Sequence, residues 1–258
     1  MLRTLSNGIR LYYEIKNPEN VGSTIVLIHH LAGSVNSWKY VSPALKSRTV
    51  VYDLRGHGRS SSPVSTYYIE DHANDLRELL EEENIKDPIL VGHSLGSLIA
   101  LEYSTKNNID KLVLIGALYK APKPDLYEKY VRIALNFGMR GLAEYRRSIN
   151  QFPRTIERDE RIWRDILGVY MENNPIGYKY SVEGLLKARD YSRDLDRIDV
   201  PTLIIYGSED EYVQNATIFS KGLKKSKLSI IEGFGHFINF EAPELLNNEL
   251  HNFLYSTT

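Results

Sequence analysis

A serine stands among glycines at Gly92-His93-Ser94-Leu95-Gly96, where the apolar run from Ile89 meets a segment whose leucines and isoleucine fit a buried helix. The G-x-S-x-G spacing has a steric reason. A very tight strand-to-helix turn strains its central residue and lifts the hydroxyl into solvent, and side chains two positions to either side would collide. The following helix aims its amino end at the same place, so the Leu95 N–H faces any oxyanion formed there. The chemistry implied is attack by Ser94 on an electrophilic carbon. The plainer reading, a serine N-cap in a glycine-rich turn, leaves the histidine and carboxylates further along without a role.

A serine hydroxyl is a weak nucleophile near neutral pH and needs a base, itself oriented by an acid. With the nucleophile first, the expected chain order is Ser, then Asp or Glu, then His. Only His236 and His251 lie downstream of Ser94. His236 occupies a glycine-flanked stretch, Gly233-Phe234-Gly235-His236-Phe237, just after the last predicted strand, whereas His251 falls within a terminal helix as a surface residue. The acid belongs after the preceding predicted strand. There Glu209, Asp210 and Glu211 are adjacent, and spacing alone does not choose among them.

The elements that must position these groups follow from apolar periodicity. Ile9–Ile15 alternates like an edge strand, and Thr24–His29, Thr49–Asp53, Ile89–Gly92, Lys111–Ile115, Thr202–Tyr206 and Lys227–Ile231 read as buried strands. Helices are predicted over Tyr67–Asn84, Ser94–Lys106 and Ala242–Tyr255, the last with Pro243 in its first turn. This alternation is the rhythm of a mostly parallel sheet covered by helices. From Tyr119 to about Ser192 the rhythm stops, and the chain reads as helices rich in Tyr, Arg and Leu. An insertion there lies over the carboxyl edge of such a sheet, where ligands bind, and is expected to form a lid.

Composition removes other classes. The 258 residues carry no cysteine, so disulfides, thiolate metal sites and a cysteine nucleophile are excluded. Lys and Arg total 32 against 33 Asp and Glu, without a basic stripe, so no nucleic-acid partner is expected. Apolar runs such as Leu112–Tyr119 fall far short of the ~20 residues of a membrane helix. The opening MLRTLSNGIRLYYE has no signal-peptide core, and a cytoplasmic, membrane-free protein is expected. The histidines lack metal-motif spacing, and "GHSLGS" lacks the glycine spacing and lysine of a nucleotide cradle, so neither metal nor cofactor is implied. The sequence carries no signal of oligomeric state.

Together these residues resemble the α/β-hydrolase superfamily, in its lid-bearing esterase, lactonase and haloperoxidase-like branch. The resemblance runs through His29-His30-Leu31-Ala32-Gly33-Ser34, Asp53-Leu54-Arg55-Gly56-His57-Gly58-Arg59-Ser60, the turn at Ser94, Gly207-Ser208-Glu209-Asp210 and Gly235-His236-Phe237. It implies an eight-stranded-type, mostly parallel sheet flanked by helices, with a core of residues 1–118 and 193–258 and a helical cap over 119–192. The family's Gly-x-x-Asp pattern selects Asp210 as the acid, and the family's second oxyanion donor falls on the Leu31 N–H. His30 stands where the family has glycine and is read as a tolerated loop residue, His57 as part of a structural turn, and His93 as packing within the elbow. The activity implied is carboxylesterase-like: Ser94, His236 and Asp210 cleaving a small to medium uncharged carboxylic ester through an acyl-enzyme. Beside the resemblance, Trp38 and Phe237 are read as pocket walls and Tyr127, Tyr130, Phe137 and Tyr145 as further contributors, with ordinary core packing the alternative for each; Tyr-rich apolar walls would suit an uncharged substrate. Enol-lactonases, carbon–carbon bond hydrolases, the menaquinone-pathway lyase and cofactor-free perhydrolases (bromoperoxidase-like) keep the same three residues, and a small-molecule receptor on this fold is the non-catalytic rival.

Overall fold

A computed structural model describes residues 1–255; positions 256–258 of the expected core lie outside the described residues. Eight strands form one sheet: β1 (Leu2–Thr4), β2 (Arg10–Lys16), β3 (Ile25–Ile28), β4 (Thr49–Tyr52), β5 (Ile89–His93), β6 (Lys111–Ile115), β7 (Thr202–Gly207) and β8 (Ser226–Ile231). Their spatial order is β1-β2-β4-β3-β5-β6-β7-β8. β1 and β2 pair antiparallel at one edge, and every pairing from β4 to β8 is parallel.

Parallel strands buried on both faces demand apolar residues throughout, and β3, β4, β5 and β7 are buried at every position. Alternate side chains then feed two cores. Val26, Ile28, Leu112 and Leu114 pack with Leu76 and Leu79 of α1 (Ile69–Glu82) and Leu98 and Ile99 of α2 (Leu95–Ser104). On the other face Ile25, Leu27, Val113 and Ile115 meet Leu246, Leu250 and Leu254 near the C-terminal end.

The chain runs outward from β3 in one direction through β4 and from β5 in the other through β6 to β8, so the sheet reverses between β3 and β5. The crevice outside the carboxyl ends of two such strands is where an open α/β sheet binds ligands. It lies here between the loop after β3 and Ser94 after β5.

Between β6 and β7 come four helices: α3 (Pro124–Ser148), α4 (Arg154–Arg158), α5 (Glu160–Met171) and α6 (Pro175–Leu185). They share a third apolar cluster, including Ala134, Leu142, Trp163, Ile166 and Val182, to which Ala32, Phe237 and Phe240 from the sheet's edge loops contribute. Polar ties add to the seam: Ser34 Oγ and Asn36 Nδ2 donate to the Glu172 carboxylate at 2.5 and 2.7 Å, and Tyr40 donates to Asp165 at 2.5 Å. The remaining helices are α7 (Ala216–Gly222), α8 (Ile238–Glu241) and α9 (Pro243–Tyr255). Among the described residues no helix is long and apolar enough to cross a membrane.

Candidate active site

Ser94 joins β5 to α2 with φ 54° and ψ −114°, a conformation that a side chain adopts only under constraint. The flanking glycines explain how the chain tolerates it. A Cβ on Gly92 would lie 2.4 Å from the Gly96 carbonyl oxygen, and one on Gly96 would lie 2.2 Å from that of Ile28 on the neighbouring strand. Ser97 Oγ donates to the Ser94 carbonyl at 2.5 Å and accepts from the Leu118 N–H, tying the turn to the end of β6. Ser94 itself is 8% exposed.

The loops after β7 and β8 bring Asp210 to His236, whose Nδ1 lies 3.1 Å from Oδ1 and 3.0 Å from Oδ2 of the carboxylate. Because the carboxylate only accepts, Nδ1 carries the hydrogen and Nε2 is left as the basic nitrogen. Glu209 and Glu211 do not share this contact, and both are exposed. Gly207 lets the two loops approach, since a Cβ there would meet the Phe234 carbonyl oxygen at 2.1 Å. The Glu241 carboxylate accepts from the N–H groups of Gly235 and Phe237 at 3.0 and 2.8 Å, fixing the backbone on both sides of His236. His93 Nε2 donates to the His236 carbonyl at 2.8 Å. Burial pulls the His236 pKa down, but the charge and hydrogen bond of Asp210 outweigh it and leave the value raised; Glu211 adds to the rise and Arg146 opposes it.

Gly116, at the end of β6, was not flagged by any sequence pattern. It has φ +50°, and a Cβ there would sit 2.9 Å from His236 Nδ1 and 3.0 Å from Asp210 Oδ2. Gly116 and Glu241 are therefore positioning residues that no motif marked.

Ser94, Leu31, His30, His236 and Phe237 line one cleft, which encloses about 570 Å³ of empty space including its solvent-open mouth. Leu95 opens α2, and a first-turn N–H has no intrahelical acceptor, so this donor is free to face the cleft. His30 is a fixed part of the wall. Its Nδ1–H donates to the Leu31 carbonyl at 2.9 Å, and its Nε2 lies 3.2 Å from Ser37 Oγ, which donates to it. The ring stacks edge-on with His93 at 5.0 Å and Phe237 at 5.1 Å. Burial holds its pKa well below the usual histidine range, and the same holds for His29 and His93.

Two expectations about the walls need correction. Trp38 does not line the cleft: it is fully buried in the apolar cluster of Ile25, Leu27 and Leu246, with its ring 6.4 Å from that of His93. Phe137 points to solvent, 73% exposed beside the bend of α3 at Gly138, and Tyr145 only stacks behind Tyr130. Tyr127, Tyr130, Tyr170, Tyr178 and Tyr212 do line the cleft, and Tyr127 and Tyr212 hydrogen-bond at 2.9 Å between α3 and the Asp210 loop. The wall is not uniformly apolar as expected, since Arg146, Gln151 and Glu211 interrupt it. Among the described residues no group of three or more His, Asp or Glu is placed to hold a metal ion.

Comparison with known proteins agrees with this architecture. A family model described as the alpha/beta hydrolase fold matches residues 23–156. The chain is 30% identical to a "Putative non-heme chloroperoxidase" of Synechocystis sp., over 96% of each chain. Among solved structures it is similar to one from a study of carboxylesterases of Nitrososphaera gargenis, with TM-score 0.89, 25% identity and coverage of 98% and 97% of the two chains. It superposes on the enol-lactonase of Burkholderia xenovorans with TM-score 0.91 over 99% and 100% of the chains, at 23% identity.

Proposed function

This chain belongs to the α/β-hydrolase fold family, and from that premise we propose that it is a serine hydrolase cleaving a small to medium carboxylic ester through an acyl-enzyme on Ser94. His236 Nε2 takes the Ser94 proton as Oγ attacks the carbonyl carbon. Asp210 holds the imidazole in the required tautomer and stabilises the imidazolium. The N–H groups of Leu31 and Leu95 receive the developing oxyanion, each worth about 3 kcal/mol in such sites. The imidazolium then protonates the departing alcohol. Water, deprotonated by His236, then attacks the acyl carbon, and the His236 imidazolium returns that proton to Ser94 Oγ as the acid is released. Helices α3–α6 act as a cap over the cleft.

The observation that carries this reading is the pairing of His236 Nδ1 with both Asp210 oxygens, at 3.1 and 3.0 Å, on a cleft shared with a backbone-strained serine. A second reading has hydrogen peroxide replace water at the acyl-enzyme, releasing a peracid; the 30% identity to the chloroperoxidase relative favours it. It needs the same serine chemistry. A fluorophosphonate probe is expected to label the parent protein stoichiometrically and to leave Ser94→Ala unlabelled. A folded parent protein that takes no label overturns the proposal and points to a ligand receptor.

A further inference from the structure

Two guanidinium groups with buried nitrogens make an instructive pair. Arg55 is paired with the Asp75 carboxylate, at 2.5 Å from Nη2 and 2.6 Å from Nε. Arg146, on α3, has no carboxylate within ion-pair distance among the described residues, although its Nε is sealed from solvent and has no hydrogen-bond partner. Its Nη1 donates to the Tyr170 hydroxyl and its Nη2 to the Gln151 carbonyl at 3.4 Å. Its Cζ lies 5.1 Å from the ring centre of Tyr130 and 4.8 Å from that of Phe152. Aromatic faces steer a cation without neutralising it. With Nε sealed away, one N–H on Nη1 and one on Nη2 are thus left for a ligand.

Arg146 is half-buried with its Nε sealed, and a cation that has lost part of its hydration is held more favourably when a partner neutralises it. The site is also placed for a ligand, because Arg146 lines the same cleft as Ser94 and His236. Glu211, on the opposing loop, lines that cleft too, and with Glu209 it lines the pocket beside it, but both are exposed and neither forms an ion pair with Arg146 among the described residues.

We propose that Arg146 is the anion subsite of this cleft, and that the ester cleaved at Ser94 carries a carboxylate that pairs with the guanidinium. The planar fork matches a carboxylate in two-point geometry. The Tyr130 and Phe152 rings hold its plane, and Tyr170 fixes one corner. This rests on the serine-hydrolase reading, which the closing experiment separates from it.

The test compares two esters of equal reach, mono-p-nitrophenyl glutarate and p-nitrophenyl pentanoate, together with p-nitrophenyl acetate for baseline. The parent protein is expected to favour the acidic ester in kcat/KM. In Arg146→Gln the ratio of acidic to neutral kcat/KM is expected to fall by about ten- to a hundredfold, the worth of a charged hydrogen bond. Arg146→Lys, a point charge without the fork, is expected to recover part of that ratio. Calorimetry of glutarate against Ser94→Ala reads the subsite without catalysis, and Arg146→Gln in that background is expected to abolish binding. Equal losses on both esters, or a parent that does not discriminate while Ser94 still takes the fluorophosphonate label, overturn the inference and leave the hydrolase reading intact. Glutarate binding that depends on Arg146 in a protein whose Ser94 takes no label keeps the subsite and overturns the hydrolase.

Discussion

Gly116→Ala isolates what a single missing side chain does for the His–Asp pair. A Cβ there would come to 2.9 Å from His236 Nδ1 and 3.0 Å from Asp210 Oδ2, and the residue has φ +50°. Two penalties follow, and they separate. The left-handed backbone costs any L-residue roughly 1–2 kcal/mol, equivalent at this chain length to about 2–4 °C of melting temperature per kcal/mol. The contact must also open by about half an ångström to reach ordinary van der Waals separation. That movement takes Nδ1 away from carboxylate oxygens now at 3.0 and 3.1 Å, to the limit of hydrogen bonding. Misplacements of this order cost roughly ten- to a hundredfold in rate, short of the roughly 10⁴-fold expected on removing the carboxylate charge. Gly8→Ala is the control: Gly8 has φ +82° and nothing within 4 Å of the added Cβ, so it carries only the backbone penalty. Thermal melts and p-nitrophenyl acetate hydrolysis of both variants decide the matter. Equal losses of stability with no difference in kcat between them would refute the idea that Gly116 protects the pair.

Two further outcomes follow from the charges. In Asp210→Asn the influence that raises the His236 pKa disappears, so the acid limb of the kcat/KM profile is expected to move to lower pH while activity falls about 10⁴-fold; an unmoved limb, or a dead Glu209→Gln, reassigns the acid. Burial lowers the His57 pKa from 6.5 to about 4, so the stability it contributes is complete above pH 6.5 and lost as pH falls towards 4, about 3 kcal/mol in all. Asp53, raised by burial to about 6, works in the opposite sense over much of that range. Urea unfolding should therefore show His57→Gln losing less stability than the parent between pH 7.5 and 4.5, and equal losses count against a neutral buried His57.

Legibility in the sequence tracked how local each cause is. Strand β6 coincides with the predicted Lys111–Ile115 because a strand buried on both faces must be apolar at nearly every position. Strand β1 escaped notice because its three residues, Leu2–Thr4, bury little, and their order comes from pairing with Arg10, Leu11 and Tyr12. The Ser94 turn was legible through its two glycines, since the steric demand lies within five residues. Trp38 shows the limit of proximity in sequence, which does not say whether a ring beside a loop turns to the cleft or into the core. Arg146 had no local signal at all. Its helix α3 also carries Arg140, paired outward with Glu144, and Arg147, paired with Glu160. Only the docking of α3 over the sheet edge decides which arginine faces the cleft.

The histidines show why residue type is the weakest guide to chemistry here. His29 and His30 each have both ring nitrogens hydrogen-bonded, His93 is bonded through one, and burial keeps all three neutral. His236 is pressed against this group, 5.1 Å from the His93 ring, and meets the same burial penalty, yet its pKa moves the other way. The difference is Asp210, and Asp210 can reach it because Gly207 and Gly116 leave room for the loops to close. An acid too far away would leave His236 as inert as its neighbours. The reactivity assigned to Ser94 therefore depends on two glycines distant from it in sequence as much as on the two glycines of its own motif.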